Sequence, residues 1–454
     1  MSDAGHATGL SPALEASLRA AQPIFWANSG RLPLYSLAQH LDGCTAEIDK
    51  AERRLLRMAP LLAQVFPELE RSQGIIESPL LPLLAFTRRL ALSGIPLSSA
   101  TILLKADHDL PVSGSIKARG GIHAVLAVAE RIAQSEGLLE GHDDGRLHLA
   151  SPSVRACFSG YTISVGSTGN LGMSIGIAGR ALGFRVVVHM SSDAKQWKKD
   201  RLRGIGAIVV EHKGDYGLAC ATARKEATGD PRIRFIDDEN SPDLFYGYAV
   251  AGRRLAAQLS AMHVTIGPDR PLILHLPCGV GGAPGGVALG VRLAIGDSAL
   301  AFTAEPVQAP CMLMGLASGR HDGISATDIG LHGRTLADGL AVSRPSQFVG
   351  RLIAPLLDGC ATVDDQELCK HVAALHHDHA LRLEPSATAG VGSLRLLLTS
   401  PAGRDYCDTI RSRFNIDRAV QVIWATGGSQ IPEVEFGDIL RRAASGHGMV
   451  PPLA

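Results

Sequence analysis

The chain has 454 residues, of which 46% are hydrophobic and 4% aromatic, and its 44 basic residues balance 44 acidic ones. This balance gives no electrostatic footprint for nucleic acid or an anionic membrane, and no apolar run approaches membrane-spanning length. The length is sufficient for two or three domains with sizeable cores.

The eight cysteines are scattered without a C-x-x-C pair. Free thiols in a reducing compartment explain them better than a disulfide framework or a zinc site. The N-terminal residues lack the basic-then-apolar order of a signal peptide. We therefore predict a cytoplasmic protein that binds a small molecule and neither nucleic acid nor a membrane.

Helical periodicity dominates residues 10–92, where we find no motif that indicates catalysis or ligand binding. A short strand predicted at 101–105 leads into residues 110–121, a run of turn-forming residues that places Lys117 at the start of a helix. There the positive end of the helix dipole favours a neutral amine, the form that attacks carbonyls. The alternative is an ordinary surface lysine.

Beyond residue 161 the pattern alternates regularly between strands and helices. Strands are predicted at 162–165, 185–189, 207–210, 234–237, 272–276, 301–304 and 420–424, with helices at 170–182, 193–204, 216–227 and from 246 to about 262. Such alternation predicts right-handed crossovers and an α/β fold with mostly parallel sheets flanked by helices. We assign residues 119–231 to a small domain that closes over the site, and 1–118 with 232–454 to a large domain.

The turn between the strand at 162–165 and the following helix contains Ser167, Thr168, Gly169 and Asn170. Small residues at a helix N-terminus let backbone amides converge on an anion such as a carboxylate. Asn170 could offer its amide to a phenolic oxygen or carbonyl. The alternative is an ordinary turn capped by asparagine.

A second glycine-rich loop, with Gly279, Val280, Gly281 and Gly282, again lies between a strand and a helix. Its glycine density suits a phosphate, but Pro284 stands where a dinucleotide fingerprint needs glycine. A phosphate monoester therefore fits better than a dinucleotide, against an alternative of close helix packing.

Thr426 follows the predicted strand at 420–424, at the sheet edge where α/β proteins place ligands. Its hydroxyl could bond a heterocyclic nitrogen without requiring that nitrogen to be protonated. Together, an imine-forming lysine, an anion turn, a monophosphate cradle and a neutral hydroxyl are the parts needed to hold pyridoxal 5′-phosphate.

The motifs that contain these residues also resemble those of the bacterial D-serine dehydratases, which are fold type II pyridoxal-phosphate enzymes. The matching segments are 113–121, 167–172, the loop from 277, 304–306, 337–342 and 383–387. Ala283 departs from the pattern, since glycine is expected there. The related L-serine and L-threonine dehydratases typically carry Ser-Phe-Lys, whereas this chain has Ser115-Ile116-Lys117, which favours the D-substrate.

The resemblance implies elimination of water from D-serine to give pyruvate and ammonia, and leaves D-threonine, which would give 2-oxobutanoate, as a second substrate. The resemblance implies that Lys117 attaches the cofactor and that Gly279 to Gly282 bind its phosphate. Asn170 would contact the phenolic oxygen of the cofactor, and Thr426 its pyridine nitrogen. The substrate carboxylate would be bound by Ser167, Thr168 and Gly169.

Glu305 is expected to contribute to a monovalent-cation site for potassium, against the alternative that it only caps backbone amides. Three other functions stay open: an L-serine or L-threonine dehydratase, a serine racemase, and a non-catalytic pyridoxal-phosphate-binding protein. The oligomeric state is also open, with a monomer compatible with the sequence.

Overall fold

The structure is a computed structural model that describes residues 8–97, 99–139, 146–167, 169–213 and 216–445. Its strands are β1 (Phe25–Ala27), β2 (Leu80–Pro82), β3 (Thr101–Lys105), β4 (Thr162–Gly166), β5 (Arg185–Ser191), β6 (Ile208–His212), β7 (Ile233–Ile236), β8 (Leu272–Pro277), β9 (Ala299–Pro306), β10 (Gly359–Val363) and β11 (Val420–Trp424).

The helices alternate with these strands for most of the chain. They are α1 (Pro12–Arg19), α2 (Cys44–Val65), α3 (Leu84–Leu92), α4 (Lys117–Ser135), α5 (Pro152–Phe158), α6 (Asn170–Leu182), α7 (Gln196–Gly204), α8 (Tyr216–Thr228), α9 (Pro242–Ala261), α10 (Gly282–Ile295), α11 (Cys311–Ser318), α12 (Gln347–Ile353), α13 (Asp365–His379), α14 (Ala389–Thr399), α15 (Pro401–Ile410) and α16 (Glu433–Ser445).

The larger sheet has seven strands in the order β1-β10-β9-β8-β11-β3-β2. Its five inner strands run parallel, and the short edge strands β1 and β2 pair antiparallel with β10 and β3. Every residue of β8, β9, β10 and β11 is buried. A parallel sheet covered on both faces requires such continuous apolar strands, which explains their composition.

The smaller sheet has four parallel strands in the order β6-β5-β4-β7. The α/β class and the mostly parallel sheets predicted from the sequence are confirmed. Because β7 belongs to this sheet, we propose that the small domain reaches at least Ile236 instead of ending at 231. That division into domains remains a proposal.

Helix α4 connects the two layers, because it packs against α6 on one side and α9 on the other. Its residues from Ala118 to Ala129 are all buried, including Arg119 and His123. This burial fixes the helix whose first residue is Lys117.

The described cysteines form no disulfide, and seven of the eight are buried. None of the described helices combines the length and apolarity needed to cross a bilayer.

Candidate active site

The segments singled out from the sequence meet at one edge of the two sheets, because each follows the carboxyl end of a parallel strand. In α/β proteins this edge is where ligands bind. These segments are the lysine loop after β3, the turn after β4, the glycine loop after β8 and the Thr426 segment after β11. The acidic pair after β7, to which the sequence analysis gave no role, lies at the same edge.

A cavity lies between these segments. Among the residues predicted from the sequence, its lining includes Lys117, Ser167, Asn170, Gly279, Val280, Gly281, Gly282 and Thr426. Within the described residues the lining includes neither Gly169 nor Glu305. Thr168 lies outside the described residues.

Lys117 is the first residue of α4, as predicted. Backbone pairing fixes the preceding residues, since the Ile116 amide donates to the Thr426 carbonyl at 2.8 Å. The Lys117 Nζ lies 3.4 Å from Asp238 Oδ2 and 5.8 Å from the ring centre of Tyr248. Lys117 therefore has a carboxylate beside it, and the neutral amine expected from the sequence stays a prediction.

Asp238 is a site residue that the sequence reasoning missed. Its Oδ1 is buried without a hydrogen-bond partner among the described residues, and the side chain lines the cavity. A buried, unpartnered carboxylate oxygen facing a cavity is costly unless a ligand completes it. The signal available was its position directly after the strand predicted at 234–237. Tyr248, also missed, is fully buried, and this burial raises the pKa of its hydroxyl well above the usual value.

The glycine loop forms a cradle at the start of α10, which begins at Gly282. Gly281 has φ 109°, and a Cβ there would lie 2.2 Å from the terminal methyl of Met312. A side chain at this position would therefore be strained and crowded, which is the physical reason for glycine. Backbone amides at the N-terminus of a 14-residue helix suit a phosphate group. Ala283, where glycine was expected, is the second residue of this helix and also lines the cavity.

In the turn after β4, the Ser167 hydroxyl accepts hydrogen bonds from the Gly169 and Gly172 amides at 2.9 and 2.8 Å. Ser167 therefore stabilises the start of α6, and its hydroxyl hydrogen remains available to a ligand. The neighbouring Asn170 donates from Nδ2 to Glu384 Oε1 at 2.8 Å. Binding of a substrate carboxylate at this turn stays a prediction.

Glu384 and Ser386 also line the cavity, although the sequence reasoning gave them no role. The available signal was the motif at 383–387, which was quoted for the resemblance alone. Burial raises the pKa of Glu384, and the nearby ammonium of Lys198 opposes this effect. Thr426 is 8% exposed, and its backbone carbonyl accepts the hydrogen bond from the Ile116 amide of the lysine loop.

Glu305 lies behind the glycine loop, where it is fully buried. Its two carboxylate oxygens accept hydrogen bonds from the Met312 and Leu313 amides at 2.7 and 2.8 Å. Glu305 thus caps α11, and burial raises its pKa to about 8. No cluster of three or more histidine, cysteine, aspartate or glutamate residues suited to a metal ion occurs in the described ranges. The cation role stays a prediction.

Comparison with known proteins assigns the class. The sequence pattern of the family described as "Pyridoxal-phosphate dependent enzyme" matches residues 71–406. This chain belongs to that family, and its cofactor is pyridoxal phosphate. The cavity fits this cofactor, because its lining combines a lysine, a glycine-rich loop at a helix N-terminus and a threonine with a neutral hydroxyl.

Within the family, two curated relatives are similar over nearly the whole chain. A probable D-serine dehydratase of Pseudomonas putida is 49% identical over 432 residues, which cover 95% of each chain. A probable D-serine dehydratase of Bacillus subtilis is 50% identical over 420 residues, which cover 92% of this chain and 91% of the relative.

Among solved structures, diaminopropionate ammonia lyase from Escherichia coli in complex with D-serine is similar in fold. Its TM-score is 0.65 at 18% identity, with 92% of this chain and 97% of that chain covered. At this identity the likeness supports the fold alone. The predicted fold type II architecture is confirmed.

Proposed function

We propose that this chain is a D-serine ammonia-lyase, a lyase that converts D-serine to pyruvate and ammonia by α,β-elimination. The observation that carries the proposal is the convergence of Lys117, the glycine cradle, Asn170 and Thr426 on one cavity. This convergence occurs in a chain 49% identical to a probable D-serine dehydratase over 95% of its length. D-Threonine, which would give 2-oxobutanoate, is the second substrate we propose.

We propose one role for each of the residues that line the cavity. Lys117 would attach the cofactor, Gly279 to Gly282 would hold its phosphate, Asn170 would contact its phenolic oxygen, and Thr426 would face its pyridine nitrogen. Bound pyridoxal phosphate supplies a conjugated ring that accepts the electron pair left when Cα loses its proton.

The chain's own groups manage the protons. Lys117 Nζ is the basic nitrogen placed to hold the proton taken from Cα, and Asp238, 3.4 Å away, would stabilise the resulting ammonium. Ser167 and its turn would bind the substrate carboxylate, with Thr168 and Gly169 proposed as its partners. Closure of the small layer over the cavity would exclude water.

Pyruvate release from each serine enantiomer tests the proposal. The cofactor-loaded protein should release pyruvate from D-serine much faster than from L-serine. Faster release from L-serine would identify an L-serine dehydratase, and interconversion of the enantiomers without pyruvate would identify a racemase. Cofactor binding without any turnover would leave a carrier protein. The first outcome supports the proposal, and each of the others contradicts it.

Thr426→Asp is expected to change the partition of the reaction. A carboxylate beside the pyridine nitrogen would stabilise its protonated form, so the ring would become a stronger electron sink and the deprotonated substrate would live longer. We expect the number of transamination or racemisation events per pyruvate formed to rise about tenfold, which corresponds to a rise of about one unit in the pKa of the pyridine nitrogen. Thr426→Val, which adds no charge, is the control. An unchanged ratio with the cofactor bound would contradict a role beside the ring.

We also propose that potassium raises activity more than sodium does, through Glu305 and nearby backbone carbonyls, since hard cations prefer oxygen ligands. Gly281 packs closely against Met312 of α11, since a Cβ added at Gly281 would lie 2.2 Å from the Met312 terminal methyl. An ordered α11 cap would therefore steady the glycine loop. Pyruvate formation in potassium, sodium and tetramethylammonium salts at one ionic strength measures the effect. Equal rates, or an undiminished potassium effect in Glu305→Gln, would rule the site out.

A further inference from the structure

A group of four polar side chains lies beside the cavity, two of them buried and two partly buried, and the roles proposed above use only one of them. Lys198 Nζ lies 2.7 Å from Asp338 Oδ2 and 3.8 Å from Glu384 Oε2. The other oxygen of Glu384 accepts the hydrogen bond from Asn170 Nδ2 at 2.8 Å. We call these four residues the Lys198 cluster. It connects a lysine ammonium to the asparagine that lines the cavity.

Lys198 is enclosed to an unusual degree for a lysine. Its side chain is 1% exposed, and that of Glu384 is 5% exposed. The two carboxylates raise the pKa of Lys198 although burial opposes this, so the side chain stays charged. Removing one member of such an ion-pair group leaves the charges of the others uncompensated, which destabilises the fold. Keeping these charges out of water also costs desolvation free energy, so we look for a role that they serve.

The cluster joins the two layers of the fold. Lys198 lies on α7, between strands β5 and β6 of the four-stranded sheet, whereas Asp338 and Glu384 lie in connections of the seven-stranded sheet. The aliphatic part of Lys198 also packs behind the turn after β4, since a Cβ on Gly169 would lie 2.3 Å from Lys198 Cδ. The lysine therefore supports the turn that carries Asn170 and fixes the acceptor of the Asn170 amide.

We infer that Lys198 is a positioning residue for the proposed reaction: it holds the Glu384 carboxylate in place, and Glu384 in turn orients the Asn170 amide at the cavity wall. The inference rests on the proposed function, in which Asn170 contacts the cofactor's phenolic oxygen. Because Nδ2 donates one hydrogen to Glu384, the second N–H hydrogen and the amide oxygen remain for the cavity.

The charge on Glu384 determines whether this arrangement holds, because an ionised carboxylate is the better acceptor for the Asn170 amide. The charged groups that face Glu384 are Lys198 from α7, Lys195 from the position just before α7, and Asp338 from the connection between β9 and β10. Glu435 from α16 also faces Lys198. Lys198 is the strongest influence that keeps Glu384 ionised, so its removal should let Glu384 take up a proton at a higher pH.

The test compares Lys198→Met with Lys199→Met in the cofactor-loaded protein. Lys199 is the matched control, because its side chain is 2% exposed and pairs at 2.7 Å with Glu211 inside the four-stranded layer. Two quantities are followed against pH: kcat/KM with D-serine, and the visible absorbance of the bound cofactor without substrate. In Lys198→Met both acid-side transitions should move up by about one pH unit. In Lys199→Met they should stay at the unmodified values.

Transitions that coincide in the two variants, with only the unfolding temperature lowered, would overturn the inference. If Lys198→Met fails to fold, Glu384→Gln serves instead, and its absorbance titration should lack the acid-side transition. A transition that persists unchanged in Glu384→Gln would overturn the inference as well. Failure of the unmodified protein to release pyruvate would contradict the proposed function alone, since the absorbance titration still decides the role of Lys198.

Discussion

Lys117→Ala will lower pyruvate release from D-serine by more than about 1,000-fold, because the change removes both the attachment point of the cofactor and the nitrogen placed to hold the Cα proton. The fold should survive, since the Lys117 side chain is 21% exposed and its charged end makes one ion pair, with Asp238. Pyruvate release and the visible absorbance of the loaded protein measure the effect.

Lys117→Arg is the control for charge. Arginine keeps a cation beside Asp238 but remains protonated and cannot form the bond to the cofactor. We expect it to be as inactive as the alanine variant. Normal turnover, or the unmodified absorbance, in either variant would show that another residue carries the cofactor.

Asp238→Asn is expected to lower kcat for D-serine by about 100-fold, the usual scale for a group that assists proton transfer. The amide is nearly isosteric but carries no charge, so the Lys117 ammonium would lose its partner at 3.4 Å. KM should change much less than kcat, because Asp238 would act on the proton and not on the substrate carboxylate. Initial rates over a range of D-serine concentrations separate the two constants.

Asp237→Asn is the matched control, since this neighbouring carboxylate pairs with Arg224 at 2.8 Å outside the cavity lining. It should leave kcat near the unmodified value. Equal losses in the two variants would mean that the segment after β7 acts through its structure and that Asp238 has no proton role.

Most of the strands that were predicted from the sequence are apolar runs inside a parallel sheet, whereas β6 and β7, which were also predicted, are edge strands of the smaller sheet. β11 was predicted with its bounds intact, and β8 and β4 within one residue. The strands that were missed have no such pattern. β1 and β2 are three-residue edge strands, and β10 begins with Gly359-Cys360-Ala361. Only the neighbouring strand makes such segments extended, and sequence periodicity does not record that neighbour.

The site followed the same logic. Lys117, Asn170, the glycine loop and Thr426 line one cavity, and each could be singled out from the sequence because it lies in a local motif with its own chemistry. Their roles stay predictions. Asp238 and Glu384 were missed, because the contacts that make them site residues are with partners far away in the chain. Asn170 and Glu384 are separated by 214 positions and join through a 2.8 Å hydrogen bond. Buried charges of this kind reveal their function only when the fold brings their partners together.

Borohydride reduction of the cofactor-loaded protein, followed by peptide mass spectrometry, tests the central claim most directly. Reduction makes the bond between lysine and cofactor permanent, so the modified peptide identifies the lysine at the centre of the site. We predict one phosphopyridoxyl group per chain, on Lys117. Modification of a different lysine, including the buried Lys198 beside the cavity, or no modification in protein that has bound the cofactor, would contradict the account.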